Sequence, residues 1–123
     1  MPYQHSIYGC PVEAALAVIE GKWKPQILYL LFQGTRRFGA LQRGLPHITR
    51  HVLSTQLREL EHAGVIKRQV FAEVPPRVEY SLTEFGKSLE PALTSLLAWG
   101  EQYISRQSAH EQADAPEDQA RGY

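Results

Sequence analysis

The sequence predicts a mainly α-helical domain that carries one small β-hairpin. Apolar residues recur at helical spacing along most of the chain, whereas apolar and polar residues alternate strictly only near residues 78–82. The length of 123 residues and the hydrophobic share of 43% suit one packed domain. These figures exclude fully disordered, collagen-like and low-complexity chains. No apolar run approaches the ~20 residues that span a bilayer.

Two helices are predicted near the amino terminus. Pro11 suits the first turn of the first helix, and Gly21 ends it. Pro25 opens the second helix, and Gly34 closes it. Apolar residues at helical spacing support both segments: Val12, Leu16, Ile19, Ile27, Leu28, Leu30, Leu31 and Phe32.

A helix-turn-helix is predicted in the middle of the chain. A short extended piece over residues 35–38 leads to one or two helical turns over residues 39–45. Thr49 is a favourable N-cap for the next helix, which ends at Gly64. The turn over residues 44–48 joins the two helices. The second helix places four apolar residues on its inward side: Val52, Leu53, Leu57 and Leu60.

The remaining elements predict a wing and a terminal helix. Residues 65–73 and 78–82 form a β-hairpin with a proline-rich tip. A last helix is expected from Thr83 to about Arg106, kinked at Pro91. Its apolar residues step by three and four, as in a helix that packs on another helix: Leu89, Ala92, Leu96, Trp99 and Tyr103.

The fold class is therefore a winged helix-turn-helix, mainly α with a small β-hairpin wing, that dimerises through its terminal helices. We assign this domain to residues 1–106 and expect the acidic tail, residues 107–123, to be disordered because it has almost nothing to bury. The interface between two copies is expected to use six residues: Val12, Leu16, Leu89, Leu96, Trp99 and Tyr103.

Charge is distributed unevenly along a chain whose formal net charge is zero. Residues 22–77 hold ten Lys or Arg against three Glu, whereas residues 107–123 hold four acidic residues against one Arg. A basic body with an acidic tail favours a polyanionic partner such as double-stranded DNA. A charged, solvated surface is the alternative reading of the same pattern.

The predicted DNA-binding residues fall into three groups. The outward face of the helix after the turn offers Arg50, His51, Ser54, Thr55 and Arg58 to a major groove, with Thr49 as a cap or a phosphate contact. Arg77 at the wing tip is expected to reach a minor groove or a phosphate. Phosphate contacts are expected from four further cations: Arg36, Arg37, Lys22 and Lys24. The alternatives are an ordinary amphipathic surface helix for the outward face, a solvated turn arginine for Arg77, and solubilising residues for Lys22 and Lys24.

Several sequence stretches, taken together, form a specific pattern: residues 10–12 (CPV), 21–23 (GKW), 37–41 (RFGAL), 53–61 (LSTQLRELE) and 74–83 (VPPRVEYSLT). This pattern resembles the HxlR-type transcriptional regulators over about residues 8–104. The resemblance implies a dimeric, bacterial-type winged-helix protein. One helix of each copy would enter the major groove, and each wing would reach the neighbouring minor groove.

Cys10 is the one residue with candidate redox chemistry. It is the single cysteine, which excludes an internal disulfide framework and a Cys-rich zinc site. Its position before a predicted helix favours the thiolate, which reacts with oxidants and electrophiles. Some members of the family that the chain resembles sense oxidants, quinones or aldehydes through a cysteine at this position. A small structural cap is the alternative.

The leading functional hypothesis is a transcriptional regulator, in particular a repressor, that acts as a homodimer on a pseudo-palindromic operator. A winged-helix protein-interaction module without specific DNA binding is the alternative. A thiol enzyme is not expected because no His and Asp arrangement, CxxC motif or phosphate loop accompanies Cys10. We expect no cofactor, metal or membrane partner. With no secretion signal visible in the first ten residues, we expect a cytoplasmic, nucleoid-associated protein.

Overall fold

A computed structural model describes residues 9–120, with side chains described up to residue 113. Residues 1–8 and 121–123 lie outside this range. The start of the predicted domain and the end of the predicted tail fall in these two stretches. The chain divides into two compact units, one ending at Leu89 and the other beginning at Glu90. The division therefore lies well before residue 107, where we expected the domain to end.

The first unit holds the predicted helices, the turn and the hairpin. Proline in the first turn starts both amino-terminal helices, as expected. The elements in chain order are α1 (Pro11–Ile19), α2 (Lys24–Phe32), β1 (Arg36–Arg37), α3 (Phe38–Arg43), α4 (Arg50–His62), β2 (Ile66–Phe71), β3 (Arg77–Leu82) and α5 (Glu84–Lys87). This order confirms the winged helix-turn-helix class.

A three-stranded antiparallel sheet forms the wing, in the order β1-β3-β2. In the hairpin Ile66 lies opposite Leu82, and Val70 lies opposite Val78. The two-residue strand β1 adds to the other side of β3, with Arg36 opposite Tyr80. The hairpin strand β2 is therefore an edge strand of the sheet.

The core of this unit is built from the apolar faces of α2, α3 and α4. Leu53, Leu57 and Leu60 of α4 are almost completely buried, as the sequence predicts. Val52, which we also expected to face inward, is only half-buried. The other fully buried side chains come from α2, α3 and the residues after α3: Ile27, Leu28, Leu41 and Leu45.

Thr83 joins the wing to the end of α4. Its Oγ1 accepts a hydrogen bond from the Gly86 amide at 2.9 Å and donates one to the Gly64 carbonyl at 2.7 Å. Its own amide donates to the Val65 carbonyl at 3.0 Å. Gly86 packs so closely that a Cβ atom there would lie 1.9 Å from the Val65 carbonyl oxygen. The end of the hairpin is thus fixed against the residues that follow α4.

The long terminal helix predicted from Thr83 was wrong in its first part, because the structure has two helices there. Thr83 caps the four-residue helix α5, and a turn at Ser88 and Leu89 separates it from α6 (Glu90–Ala120). Pro91 is the second residue of α6. A proline costs no hydrogen bond in the first turn of a helix, so it begins a new helix rather than kinking a longer one.

The tail also differs from the expectation of disorder, because α6 continues through Gln107 to Ala120. The residues just after 107 include Gln, Ala and Glu, which have high helix propensity even though they bury little. Disorder was inferred from the lack of apolar residues, and that criterion does not register local propensity. Among the described residues, no helix is both long and apolar enough to cross a membrane.

The close packing of Gly86 generates a prediction about stability. Gly86→Ala would force its methyl group into the Val65 carbonyl, and we expect the free energy of unfolding to fall by at least about 1–3 kcal/mol. Urea denaturation followed by circular dichroism measures this change. Gly39→Ala in α3 is the control, because its Cβ meets only the mobile end of Arg43 at 3.3 Å. A Gly86→Ala protein as stable as this control would contradict the packing argument.

Candidate nucleic-acid interface

Buried side chains hold the turn between α3 and α4 in place. Leu45 and Ile48 in the turn are buried, and between them His47 has a positive φ of 73°. Thr49 then caps α4, its Oγ1 accepting a hydrogen bond from the Val52 amide at 3.1 Å. The start of α4 is therefore fixed by both packing and capping.

Helix α4 carries the five residues predicted for a major groove. Arg50, His51 and Arg58 are exposed, and Ser54 and Thr55 are half-buried. Thr55 Oγ1 donates a hydrogen bond to the His51 carbonyl at 3.0 Å and lies 3.5 Å from Arg58 Nη2, which can donate to it. His51, Thr55 and Arg58 thus lie on the side of α4 that faces away from the buried leucines, with Ser54 at its edge. Arg50 falls on the leucine side by helical period and is exposed because it is the first residue of the helix.

Arg50 is held by a neighbouring aromatic ring. Its guanidinium carbon lies 4.8 Å from the centre of the Phe38 ring, at the start of α3. A cation over an aromatic face is attracted by the ring quadrupole, while the edge of the guanidinium keeps its N–H donors. Phe38 therefore orients Arg50 without using the donors that a base edge or a phosphate would need.

The two arginines of β1 differ in their freedom. Arg36 is half-buried and donates from Nη2 to Gln33 Oε1 at 3.1 Å. Arg37 is exposed and lies opposite Glu79 in the sheet register. Arg37 is thus the better placed of the two to meet a phosphate.

Arg77, which we expected to extend from the wing tip, is held inside the hairpin instead. Its guanidinium carbon lies 3.9 Å from the centre of the Phe71 ring. Its Nη atoms lie 3.2 Å from Glu73 Oε1 and 3.4 Å from Glu79 Oε2. The side chain is only 28% exposed. The sequence places Arg77 at the tip but does not reveal that two carboxylates neutralise it there.

The two lysines at the start of α2 occupy different environments. Lys22 is exposed, with Nζ 4.8 Å from the centre of the Trp23 ring. Lys24 is buried, with Nζ 2.6 Å from a carboxylate oxygen of Glu59 on α4. This placement contradicts the expectation of a phosphate contact from Lys24, because its ammonium group is covered and already paired.

Two cations of the wing were missed as candidate site residues. Lys67 and Arg68 on the edge strand β2 are both exposed, and neither forms an ion pair with a described residue. Both belong to the basic segment of residues 22–77. The sequence does not reveal that Arg77 is neutralised by carboxylates, which leaves Lys67 and Arg68 as the unpaired cations described in the hairpin strands. The hairpin register places them on opposite faces of that strand.

The helices expected at the dimer interface expose apolar side chains. Val12 and Leu16 of α1 are exposed, as are Leu96, Trp99 and Tyr103 of α6, and the rings of Trp99 and Tyr103 stack at 5.6 Å. Leu89 is half-buried in the turn before α6. Leu97 and Ile104 of α6 are also exposed, and both were missed. They lie beside the predicted seam at the same helical spacing, so the apolar surface of α6 is wider than expected.

Cys10 is exposed and occupies the N-cap position of α1. Its carbonyl accepts the first helical hydrogen bond, from the Ala14 amide at 3.1 Å, but its side chain makes no capping hydrogen bond. The thiol is therefore accessible to a reagent. Within the described range, no group of three or more His, Cys, Asp or Glu is placed to hold a metal ion.

Comparison with known proteins places this architecture in a family. The model of the HxlR-like helix-turn-helix family matches residues 18–108. The uncharacterized HTH-type transcriptional regulator YdeP of Bacillus subtilis (strain 168) is 51% identical over 110 residues, covering 89% of this chain and 86% of its own.

Two solved structures share both fold and sequence. The redox regulator HypR in its reduced form superimposes with a TM-score of 0.78 at 46% identity, over 81% of this chain and 99% of its own. The reduced form of the transcriptional regulator YodB from B. subtilis has a TM-score of 0.69 at 34% identity, over 76% of this chain and 93% of its own. The chain therefore belongs to the HxlR-like helix-turn-helix family, whose members are transcriptional regulators and not enzymes.

Proposed function

We propose that this protein binds an operator sequence specifically and represses transcription from it. The exposed polar residues of α4 carry the proposal. His51, Thr55 and Arg58 face away from the buried leucines, Ser54 lies at the edge of that side, and Arg50 is exposed at the start of the helix. Arginine donors paired with hydroxyl and imidazole groups suit base edges and phosphates in a major groove. A basic face of this kind does not favour the alternative of a protein-interaction module.

Phosphate contacts in the proposed complex come from exposed cations around α4. Arg37 and Lys22 remain from the original set, and Lys67 and Arg68 join them on the wing. Lys24 is left out because it is buried, and Arg77 because Glu73 and Glu79 hold it. Arg36 contributes less because Gln33 already engages its guanidinium.

The protein would act as a homodimer whose interface uses α1 and α6. Five large apolar side chains of α6 between Leu96 and Ile104 are 49–65% exposed, which is unusual for a surface that stays in water. Val12 and Leu16 of α1 are similarly exposed. Two-fold symmetry would place two α4 helices on half-sites about one DNA turn apart, which a pseudo-palindromic operator would match.

The proposed operator binding would respond to oxidants or electrophiles through Cys10. The thiol is exposed at the start of α1, one of the helices proposed for the dimer interface. HypR is described as a redox regulator and has been solved in reduced and oxidised forms, and YodB has also been solved after diamide treatment. Modification of Cys10 would press on α1 and so change the separation of the two α4 helices.

We also propose that the protein acts in the cytoplasm, where it would associate with the nucleoid.

The first prediction concerns base readout. Arg50→Ala and Arg58→Ala should each weaken operator binding by about 1–3 kcal/mol while leaving random DNA much less affected, because a base contact carries sequence information and a phosphate contact does not. Fluorescence anisotropy with the protein's own upstream DNA and a random duplex measures both. Lys87→Ala on α5 is the control. Equal losses on both duplexes would make these arginines phosphate contacts, and parent protein that prefers no upstream fragment would contradict the function itself.

The second prediction concerns the dimer. Leu96→Asp should abolish dimer formation and operator binding together, because it places an unpaired charge in an apolar interface. Light scattering and anisotropy measure the two losses. Ser105→Asp is the matched control, since nine residues along a helix place it on the opposite side from Leu96. A monomeric parent protein that still binds its operator tightly would contradict the proposed dimer.

The third prediction concerns Cys10. Diamide should release operator DNA from the parent protein, whereas Cys10→Ser should bind DNA and no longer respond. Diamide accepts two electrons and two protons as a Cys10 thiol forms a disulfide with its mate or with a small thiol. Gel shifts with and without diamide, together with intact mass measurement, follow both steps. If both proteins respond alike, or neither does, Cys10 is a structural cap only.

A further inference from the structure

Lys24 is the buried charged residue of the described core, and its burial calls for an explanation. Its side chain is 10% exposed, and Nζ lies 2.6 Å from a Glu59 carboxylate oxygen that belongs to a half-exposed side chain. Burying an ammonium group costs more than its pair repays unless the geometry is very good. An apolar residue would fill this position at less cost, so the charge serves something other than packing.

The position of Lys24 within its own helix adds to that cost. Lys24 is the first residue of α2, where the helix dipole disfavours a cation. The first turn of α2 contains no acidic residue, and Trp23 supplies no capping side chain. No local interaction of α2 therefore accounts for the lysine, and its partner is on α4.

Glu59 ties this pair to the DNA-facing surface. It follows Arg58 directly and lies one turn after Thr55 on α4. Lys24, Thr55, Arg58 and Glu59 line one groove beside α1. The ion pair and the proposed base-contacting residues thus lie side by side in space.

We propose that Lys24 is a positioning residue, which fixes the rotation of α4 about its axis through Glu59 and so sets where Thr55 and Arg58 point. Burial of Leu53, Leu57 and Leu60 decides which side of α4 faces the core, but apolar burial is non-directional and leaves small rotations of the helix unrestrained. The ion pair instead joins two fixed points, Lys24 Nζ on α2 and Glu59 Oε1 on α4, at 2.6 Å, and so restrains the side of α4 next to Arg58. The inference rests on the proposed DNA binding and names a residue outside the contact surface as a determinant of its specificity.

The test compares variants of the full-length protein on operator and random DNA. Lys24→Met should lower operator affinity at least tenfold while changing random-DNA affinity less than twofold, at a temperature where circular dichroism shows the variant folded. Lys87→Met is the matched control, since it removes the lysine of an exposed ion pair with Glu84. It should leave both affinities unchanged.

A charge exchange separates positioning from general stability. Lys24→Glu and Glu59→Lys should each lose operator affinity, because like charges then face each other, and the double variant Lys24→Glu/Glu59→Lys should recover at least tenfold over either one. A merely structural pair would show the same pattern in unfolding but not in the ratio of operator to random affinity. Absence of recovery in that ratio overturns the proposal.

Hydrogen exchange tests the same proposal without DNA. In the Lys24→Met protein without DNA, the amides of α4 from Arg58 to His62 should exchange at least fivefold faster than in the parent protein. The exchange rates of the α3 amides should not change. Unchanged α4 exchange overturns the inference even if operator binding is intact in the parent. Equal losses on operator and random DNA also overturn it, since they would show a general loss of binding and not a loss of specificity. Failure of the parent to bind any upstream DNA would contradict the proposed function alone, and the exchange result would still decide the positioning role.

Discussion

Burial of the leucine face of α4 is the constraint on which the rest of the DNA-facing surface depends. Leu53, Leu57 and Leu60 are almost fully buried, which determines which side of α4 packs on the core and which side faces solvent. The helical period then places His51, Thr55 and Arg58 on the opposite surface. The cap at Thr49 and the buried turn residues fix where that period begins. A shift of one residue in α4 would therefore expose a leucine and bury an arginine at the same time.

The number of cations in the sequence differs from the number that remain without a protein partner. The segment from residue 22 to residue 77 is strongly basic, but several of its cations already have protein partners. Glu59 holds Lys24, two carboxylates and an aromatic ring hold Arg77, and Gln33 engages Arg36. The cations proposed to meet a polyanion lie on α4, at Lys22 and Arg37, and on the edge strand β2. The exposed, unpaired cations of the fold are therefore fewer than the cations counted in the sequence.

Local patterns predicted the fold well because the elements of the first unit depend on local chemistry. Thr49 as a cap, Pro11 and Pro25 in first turns and the leucine spacing of α4 need no knowledge of distant residues. The break between α5 and α6 was missed because Pro91 fits a kink in one long helix as well as the first turn of a new one. The partners of Lys24 and Arg77 were missed for a different reason. Their partners become neighbours only after helix packing and strand register have been established.

The restraint of Arg77 has a further consequence for the entropy of the wing. An arginine side chain loses about 2 kcal/mol of rotamer freedom when it is immobilised. Here the Phe71 ring, Glu73 and Glu79 impose that loss when the chain folds. The adjacent tip contains Pro75 and Pro76, whose rings fix their φ angles and carry no amide donors. The tip of the wing therefore has little conformational freedom left to lose when it meets a partner, whereas Lys67 and Arg68 on β2 keep theirs.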